Sequence, residues 1–269
     1  MPGTMLRIAS LASGSKGNST VVFDDEDALI VDSGISARRV LESLDSLRIE
    51  SERVRGIVIT HEHRDHCAGV GPLARKLRVP VFATQGTFLG CSGVVKKLPE
   101  FRPVQVLEPF AVGGFIVEPF PTYHDAADPF AVVVRSTSGT DHAVAVVTDL
   151  GFVSTLAFDK LRGCRALLFE SNHDRTMLLE GPYPPLLKQR ILGRHGHLDN
   201  ESSARAITRL FNSGTRRVLL AHLSEVNNSP ATVIKTMTEE LRPWIDQGLT
   251  LDLTFPERPS VVLSCGDED

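Results

Sequence analysis

Apolar residues along this chain fall mostly into short runs separated by polar or glycine-containing segments, a pattern that favours β-strands. The predicted strands are Leu6–Leu11, Thr20–Phe23, Ala28–Asp32, Gly56–Thr60, Val79–Ala83, Val104–Leu107, Phe115–Phe120, Phe130–Arg135, Ala143–Thr148, Ala166–Phe169, Arg217–Ala221, Thr250–Thr254 and Ser260–Ser264. Helical periodicity recurs between strands, in Ser36–Leu47, Ala68–Leu77, Leu186–Leu192, the run from Asp199 or Asn200 to Gly214, and Val233–Leu241. Thr84–Leu98 is helical or irregular. The pattern predicts one α/β domain over residues 1–269, rich in sheet.

Polar side chains that can bind metals follow the predicted strands. The densest group is His61-Glu62-His63-Arg64-Asp65-His66, directly after Gly56–Thr60. His61 and His63 are two positions apart and can turn to the same side, while Asp65 and His66 begin the next helical run. Imidazole and carboxylate groups are ligands for Zn²⁺, Mn²⁺ and Fe²⁺, so this short segment offers donors for two adjacent ions.

Later strand ends supply further ligand types: His124, Asp149, His173, His197 and His222. Two ions that share a site need about seven protein ligands and a water. A carboxylate after a buried strand, such as Asp149, suits a bridging position. Two metals can activate a bridging water and hold both the attacking and the leaving oxygens, which fits hydrolysis of phosphate esters or acyl groups.

Composition limits the classes of protein to consider. The net charge of −4 provides no global basic footprint for nucleic acid, and the aromatic content of 6% does not indicate extensive base stacking. The four cysteines form no CxxC pair, which predicts reduced thiols. We expect neither a signal peptide nor a membrane span, and therefore a cytoplasmic protein.

The motif His61-x-His63-x-Asp65-His66, followed in order by Asp149 and His222, resembles the metallo-β-lactamase superfamily. The resemblance implies an αββα sandwich, in which two mixed β-sheets are flanked by helices. It also implies a dinuclear site, with one metal held by His61, His63 and His124. The other metal would be held by Asp65, His66 and His222, with Asp149 as the bridge.

Five further segments are similar to the YycJ/WalJ family, on the ribonuclease Z and phosphodiesterase side of the superfamily. They are Ser10–Ser19, His124–Pro129, Glu170–Asp174, Gly196–Asn200 and Leu220–Ser224. The resemblance implies a nuclease that removes nucleotides from DNA in the 5′→3′ direction, with a metal-bridging hydroxide as the nucleophile. DNA is the expected substrate in preference to RNA. One departure is Phe130-Ala131, where many relatives have glycine and an aromatic residue.

Asp65, His197 and His173 are the candidates for catalysis. Asp65 or Asp149 would orient the hydroxide, and His197, before a predicted helix, would contact the phosphate or the leaving group, as a similarly placed histidine does in ribonuclease Z. His173 is a candidate extra ligand or substrate contact. His195 is expected to be exposed and His142 to be structural. Basic residues near His197 could follow the phosphates, namely Lys188, Arg190, Arg194, Arg205 and Arg209, and Lys16 and Arg64 are expected nearer the metals.

Other functions remain open on the same residues. A small-molecule phosphodiesterase of the cyclic-phosphate type uses the same metals, and a narrow cleft with an acidic rim would favour it. An acyl or thioester hydrolase shares the metal chemistry. A non-catalytic regulatory accessory would have no chemical need for seven metal-binding side chains. The native metal, Zn²⁺ or Mn²⁺, and the oligomeric state are left undetermined by the sequence.

Overall fold

The computed structural model describes residues 5–138 and 143–266. His142, expected to be structural, lies outside the described residues. Within them, no helix is both long enough and apolar enough to cross a membrane.

The first sheet is built from the amino-terminal part of the chain and one late strand. Its order is β14 (Leu263–Ser264), β1 (Arg7–Ala12), β2 (Ser19–Phe23), β3 (Ala28–Val31), β4 (Val54–Val58), β5 (Val81–Ala83) and β6 (Phe101–Pro103). From β14 to β3 the neighbouring strands are antiparallel, and from β3 to β6 they are parallel. The sheet is therefore mixed.

The second sheet repeats this arrangement with later strands. Its order is β7 (Phe110–Val112), β8 (Phe115–Pro121), β9 (Phe130–Ser136), β10 (Ala143–Val147), β11 (Cys164–Glu170), β12 (Arg217–Ala221) and β13 (Thr250–Leu253). The strands are antiparallel from β7 to β10 and parallel from β10 to β13. In each sheet, therefore, the strands of one half are antiparallel and those of the other half are parallel.

Helices connect successive strands in the parallel halves of both sheets. They are α1 (Ala37–Ser46), α2 (Arg64–Cys67), α3 (Val70–Leu77), α4 (Gln85–Val95), α5 (Thr155–Leu161), α6 (Arg175–Glu180), α7 (Pro185–Leu192), α8 (Asn200–Phe211) and α9 (Pro230–Ile245), with a 3₁₀ turn at Ser51–Arg53. Two of the starts follow the predicted caps: Ser36 accepts from the N–H of Arg39, and Asp199 accepts from the N–H of Ser202.

Three apolar clusters hold these layers together. Alternate residues of both sheets meet in the middle cluster, where Phe115 and Phe130 are fully buried. One outer cluster joins the first sheet to α1, α3 and α4, and the other joins the second sheet to α5, α8 and α9. Burial of each large side chain contributes about 1.5–3 kcal/mol. The predicted αββα sandwich of two mixed sheets is confirmed.

The parallel halves of the sheets bring polar loops together at one edge, because parallel strands end on the same side. Asp32 follows β3, Asp149 follows β10, and His222 follows β12. All three have left-handed backbones, with φ of 61°, 59° and 58°. Such conformations are costly for residues other than glycine, and they concentrate at functional sites.

One strand prediction is wrong. Residues 104–107 are not a strand; the pairing segments on either side of them are β6 and β7. Pro103 ends β6, and Leu107 has a φ of 74°, which an extended strand cannot include. The apolar residues Val104 and Val106 pack on the middle cluster instead, which explains the misleading pattern.

Candidate metal centre

A first group of histidine nitrogens converges where β4 leads into α2. His61 is buried, and its ring lies 4.7 Å from the ring of His63 and 5.2 Å from that of His124. The Nε2 atom of His124 is 3.3 Å from the Nδ1 atom of His63. One ring nitrogen from each of these histidines lies within 4.8 Å of the others, a spacing that could hold a metal ion.

A second group lies beside the first. Asp65 Oδ2 is 3.6 Å from His66 Nε2 and 3.8 Å from His222 Nε2. Asp149 stands between the groups, since one of its oxygens is 3.2 Å from His66 Nε2 and the other is 3.7 Å from His124 Nε2. This is the placement that a bridging carboxylate requires. The seven residues that the sequence pattern singles out are therefore brought together.

Unpartnered buried atoms show that these donors fit divalent cations. His61 Nε2 and His222 Nε2 are buried without a hydrogen-bond partner among the described residues. Buried polar atoms without partners are costly, so most are bonded to protein, water or an ion. Here both atoms are histidine nitrogens, which are ligands for Zn²⁺ and Mn²⁺.

The pKa shifts of the centre also favour bound cations. Burial alone would raise the pKa of Asp149, but His222 and His66 hold it well below its usual range. Burial would lower the pKa of His222, but Asp149, Asp65 and Glu170 raise it to about 10. The ionised carboxylates therefore attract positive charge to this edge, which a metal ion supplies better than a proton.

A cleft of about 260 Å³ opens above the centre. Its floor is formed by five of the candidate ligands, His63, Asp65, His124, Asp149 and His222, together with His197. One wall is formed by α7 and the loops beside it. The lining outside the floor consists of Ser15, Asp125, Asn172, Tyr183, Leu187, Arg190, Ile191, His195, Gly196 and Ser224.

Comparison with known proteins agrees with this architecture. The chain matches the family described as "Beta-lactamase superfamily domain" over residues 28–223. It is 34% identical to "Exodeoxyribonuclease YycJ" of Bacillus anthracis, over 96% of this chain and 98% of that protein. It is also 34% identical to "Exodeoxyribonuclease WalJ" of Streptococcus pneumoniae, over 90% of each. The chain belongs to the YycJ/WalJ family of the metallo-β-lactamase superfamily.

The structural comparison supports the fold on its own. The crystal structure of the metallo-β-lactamase fold protein YhfI from Bacillus subtilis matches with a TM-score of 0.71 at 15% identity, covering 96% of this chain and 99% of that chain. The family predicted from the sequence motifs is confirmed by the 34% identity to the two exodeoxyribonucleases.

Two carboxylates support the histidines from behind, and sequence reasoning assigned them no role. Glu170, at the end of β11, accepts from Nδ1 of His222 at 2.8 Å and from Nδ1 of His197 at 2.9 Å. Asp32 accepts from Nδ1 of His66 at 2.8 Å and from the N–H and hydroxyl of Thr60. Each fixes the ring so that Nε2 faces the site. In the sequence, the signal that could have identified both residues is a carboxylate at the end of a strand.

His197 and His173, both candidates for catalysis, lie in different surroundings. His197 lines the cleft with its side chain 20% exposed, and its ring is 5.1 Å from those of both His124 and His222. His173 is buried, and neither of its ring nitrogens has a hydrogen-bond partner among the described residues. It is not among the residues that line the cleft. A substrate contact by His173 therefore stays a prediction.

The basic residues near His197 are dispersed by the fold. Arg190 lines the cleft and forms an ion pair with Asp125. Arg205 pairs with Glu201 on α8, and the guanidinium of Arg209 packs over Phe158. Lys16 pairs with Glu225, and the preceding residues, Ser15 and Ser224, line the cleft. Arg190 is thus the basic residue of this group that lines the cleft.

Proposed function

We propose that this chain is a dinuclear-metal-dependent phosphodiesterase that removes nucleotides from the 5′ ends of DNA. The observation that carries the proposal is the pair of donor groups with Asp149 between them, at the floor of a cleft. His61, His63 and His124 would hold one ion, and Asp65, His66 and His222 the other. Metal-dependent hydrolysis is the activity of this superfamily. The relatives YycJ and WalJ are named as exodeoxyribonucleases, which supports DNA as the substrate.

Bound divalent ions would lower the pKa of water and neutralise charge on the phosphate. Side chains of the protein would orient the water and contact the phosphate. Asp65 is 24% exposed, more than the 4% of Asp149, and its pKa lies below the usual range because His222 and His66 outweigh the effect of burial. As an ionised acceptor at the cleft floor, it can orient a water molecule. His197 donates an Nδ1–H hydrogen bond to Glu170, and in the imidazolium form its Nε2–H can donate to a phosphate or leaving-group oxygen.

The dimensions of the cleft support action on a chain end. A cavity of about 260 Å³ has the scale of a small-molecule site, so it suits a terminal nucleotide and is too small for a duplex. An end of a single strand can enter it without deformation of a helix. The 5′→3′ direction and the preference for DNA over RNA are parts of the proposal.

The same narrow cleft favours a second candidate, a small-molecule phosphodiesterase. Asp125 lies on its rim, as expected for a site that does not attract a polyanion. Arg190 pairs with Asp125, however, so the acid at this point is neutralised. We therefore place the nuclease first. Zn²⁺ and Mn²⁺ both suit the donors and are the candidate ions.

The test compares hydrolysis of 5′-phosphorylated single-stranded DNA, double-stranded DNA, RNA and bis-p-nitrophenyl phosphate. Each reaction is run with Mn²⁺, with Zn²⁺ and with chelator, for the wild type and His61→Ala. We expect mononucleotides to be released from the 5′ end of DNA, with loss of activity in chelator and in the variant. Cleavage of the small diester alone would support the second candidate. No turnover of any diester by the metal-loaded protein would leave an acyl hydrolase or an accessory role.

A further inference from the structure

Three aromatic rings form a cluster at the rim of the cleft. The ring of Tyr123 lies 4.5 Å from that of Phe152 and 6.5 Å from that of His195. The guanidinium of Arg194 covers Phe152 at 4.4 Å from the ring centre. We call Tyr123, Phe152, Arg194 and His195 the rim platform.

The rim platform is accessible to solvent. Tyr123 is 41% exposed, and Arg194 and His195 are exposed as well. Exposed aromatic groups that lie together beside a cleft are typical of binding surfaces, because their burial by a partner is favourable. The side chain of Tyr123 makes no contact that the metal centre needs.

Backbone contacts join the three loops that carry the rim platform. The N–H of Gly151 donates to the carbonyl of Tyr123 at 3.1 Å. The backbone of Gly151 also approaches Arg194 so closely that a Cβ atom would lie 2.3 Å from the carbonyl oxygen of Arg194. A preformed surface of this kind loses little conformational entropy when a ligand binds.

The rim platform is continuous with the cleft. Tyr123 directly precedes His124 of the first donor group, and His195 belongs to the lining of the cleft. The chain has two tyrosines, and the other one, Tyr183, lines the same cleft. A strand whose terminal phosphodiester lies over the metal centre would thus pass beside the rim platform as it leaves the cleft.

We propose that the rim platform stacks the nucleobase that follows the terminal nucleotide of a single-stranded substrate. This inference rests on the proposed nuclease function. Aromatic faces stack on any base and therefore bind single strands without regard to sequence. Arg194 adds a positive charge, which complements the phosphate backbone and can itself stack on a base. A paired base cannot offer its face in this way, so the rim platform would select single-stranded ends.

The decisive test removes the ring and the base separately and then together. The substrates are two 5′-phosphorylated single-stranded oligonucleotides, with a normal base or an abasic site at the second position. For the wild type, we expect kcat/KM to fall about tenfold on the abasic substrate, the scale of one lost stacking contact. Tyr123→Ala should show the same fall on the normal substrate and little further loss on the abasic one. Tyr123→Phe should retain wild-type values, since stacking needs the ring and not the hydroxyl.

A matched pair of arginine variants tests the charge. Arg194→Ala should weaken binding of the oligonucleotide, whereas Arg209→Ala should not, although Arg209 also covers an aromatic ring, Phe158. Arg209 lies in the last turn of α8, ten residues beyond the cap Asp199, so about 15 Å of helix separates it from the cleft.

The experiments distinguish a wrong inference about the rim platform from a wrong proposed function. If the wild type degraded the two substrates at equal rates, the rim platform would be wrong and the nuclease function would stand. The same conclusion would follow if the losses caused by Tyr123→Ala and by the abasic site were additive. Binding of the oligonucleotide that depends on Tyr123 and the second base, without any cleavage, would support the rim platform and reject the nuclease.

Discussion

Glu170 accepts hydrogen bonds from the Nδ1 atoms of His222 and His197, at 2.8 Å and 2.9 Å, with one oxygen, Oε1. Its other oxygen accepts from the backbone N–H groups of Leu150 and Leu198. One buried carboxylate thus orients a candidate metal ligand and a candidate phosphate contact together. Burial would raise the pKa of Glu170, but His197 and His222 lower it to about 2, so it remains ionised at neutral pH.

Replacement of Glu170 by glutamine should therefore impair both functions. We expect metal affinity and turnover each to fall by about 10- to 100-fold, the usual cost of losing a carboxylate behind a metal-binding histidine. Asp32→Asn is the matched variant, because Asp32 contacts Nδ1 of His66 and not of His197. It should lower metal affinity, while turnover at saturating metal should recover more fully than in Glu170→Gln. Equal recovery in the two variants would contradict the double role of Glu170.

His197 provides a test of the division between metal ligands and substrate contacts. His197→Ala should lower kcat by about 100- to 1,000-fold, as expected when one donor to a developing oxyanion is lost. The metal content, measured by mass spectrometry of the purified protein, should stay at the wild-type value. Loss of metal along with activity would show that His197 is a ligand.

Gly34 is required by the close approach of two loops. A Cβ atom there would lie 1.6 Å from the backbone oxygen of Asp65, which already accepts the N–H of Asn18 at 2.7 Å. Gly34→Ala must push Asp65 away and should cost about 1–3 kcal/mol of unfolding free energy, with a loss of metal affinity. Gly93→Ala is the control, since a Cβ at Gly93 in α4 meets nothing within 4 Å. It should raise stability by about 0.5–1 kcal/mol. Chemical denaturation and metal titration of both variants test this, and unchanged metal affinity in Gly34→Ala would contradict it.

His173 should make stability depend on pH. Burial lowers its pKa from 6.5 to about 4. Between these values the unfolded chain binds a proton that the folded protein does not, so the stability present above pH 6.5 is lost as pH falls towards 4. From pH 7 to pH 5, the free energy of unfolding of the metal-free wild type should fall by about 2 kcal/mol more than that of His173→Asn. Parallel urea titrations in chelator measure this difference, and identical pH profiles would show that His173 is not buried in the neutral form.

The sequence predicted the metal centre better than its surroundings, for physical reasons. His61 through His66 span one short loop and the start of α2, where local geometry alone brings donors together. Asp149 and His222 follow strands, and the parallel pairing of those strands brings both to the same edge. His124 has no fixed spacing, yet it stands at a strand end and lies where the motif resemblance implied.

The supporting carboxylates and the rim platform depend on tertiary contacts. Glu170 could not be assigned to His222 and His197 before the order of β10, β11 and β12 was known. Tyr123, Phe152 and Arg194 come from three separate loops, and the low aromatic content gave no reason to expect them together. The wrong strand at residues 104–107 has a related cause, since apolar residues in a loop can also pack on the core.

The most direct test of the central claim is titration of the metal-free protein with Mn²⁺ or Zn²⁺ while release of mononucleotides from 5′-phosphorylated DNA is measured. We predict no activity without metal, and activity that rises until two equivalents are bound per chain. Asp149→Asn, which lacks the charge between the two donor groups, should stay inactive at any metal concentration. DNA hydrolysis that persists in chelator, or an Asp149→Asn variant with wild-type turnover, would contradict the dinuclear mechanism.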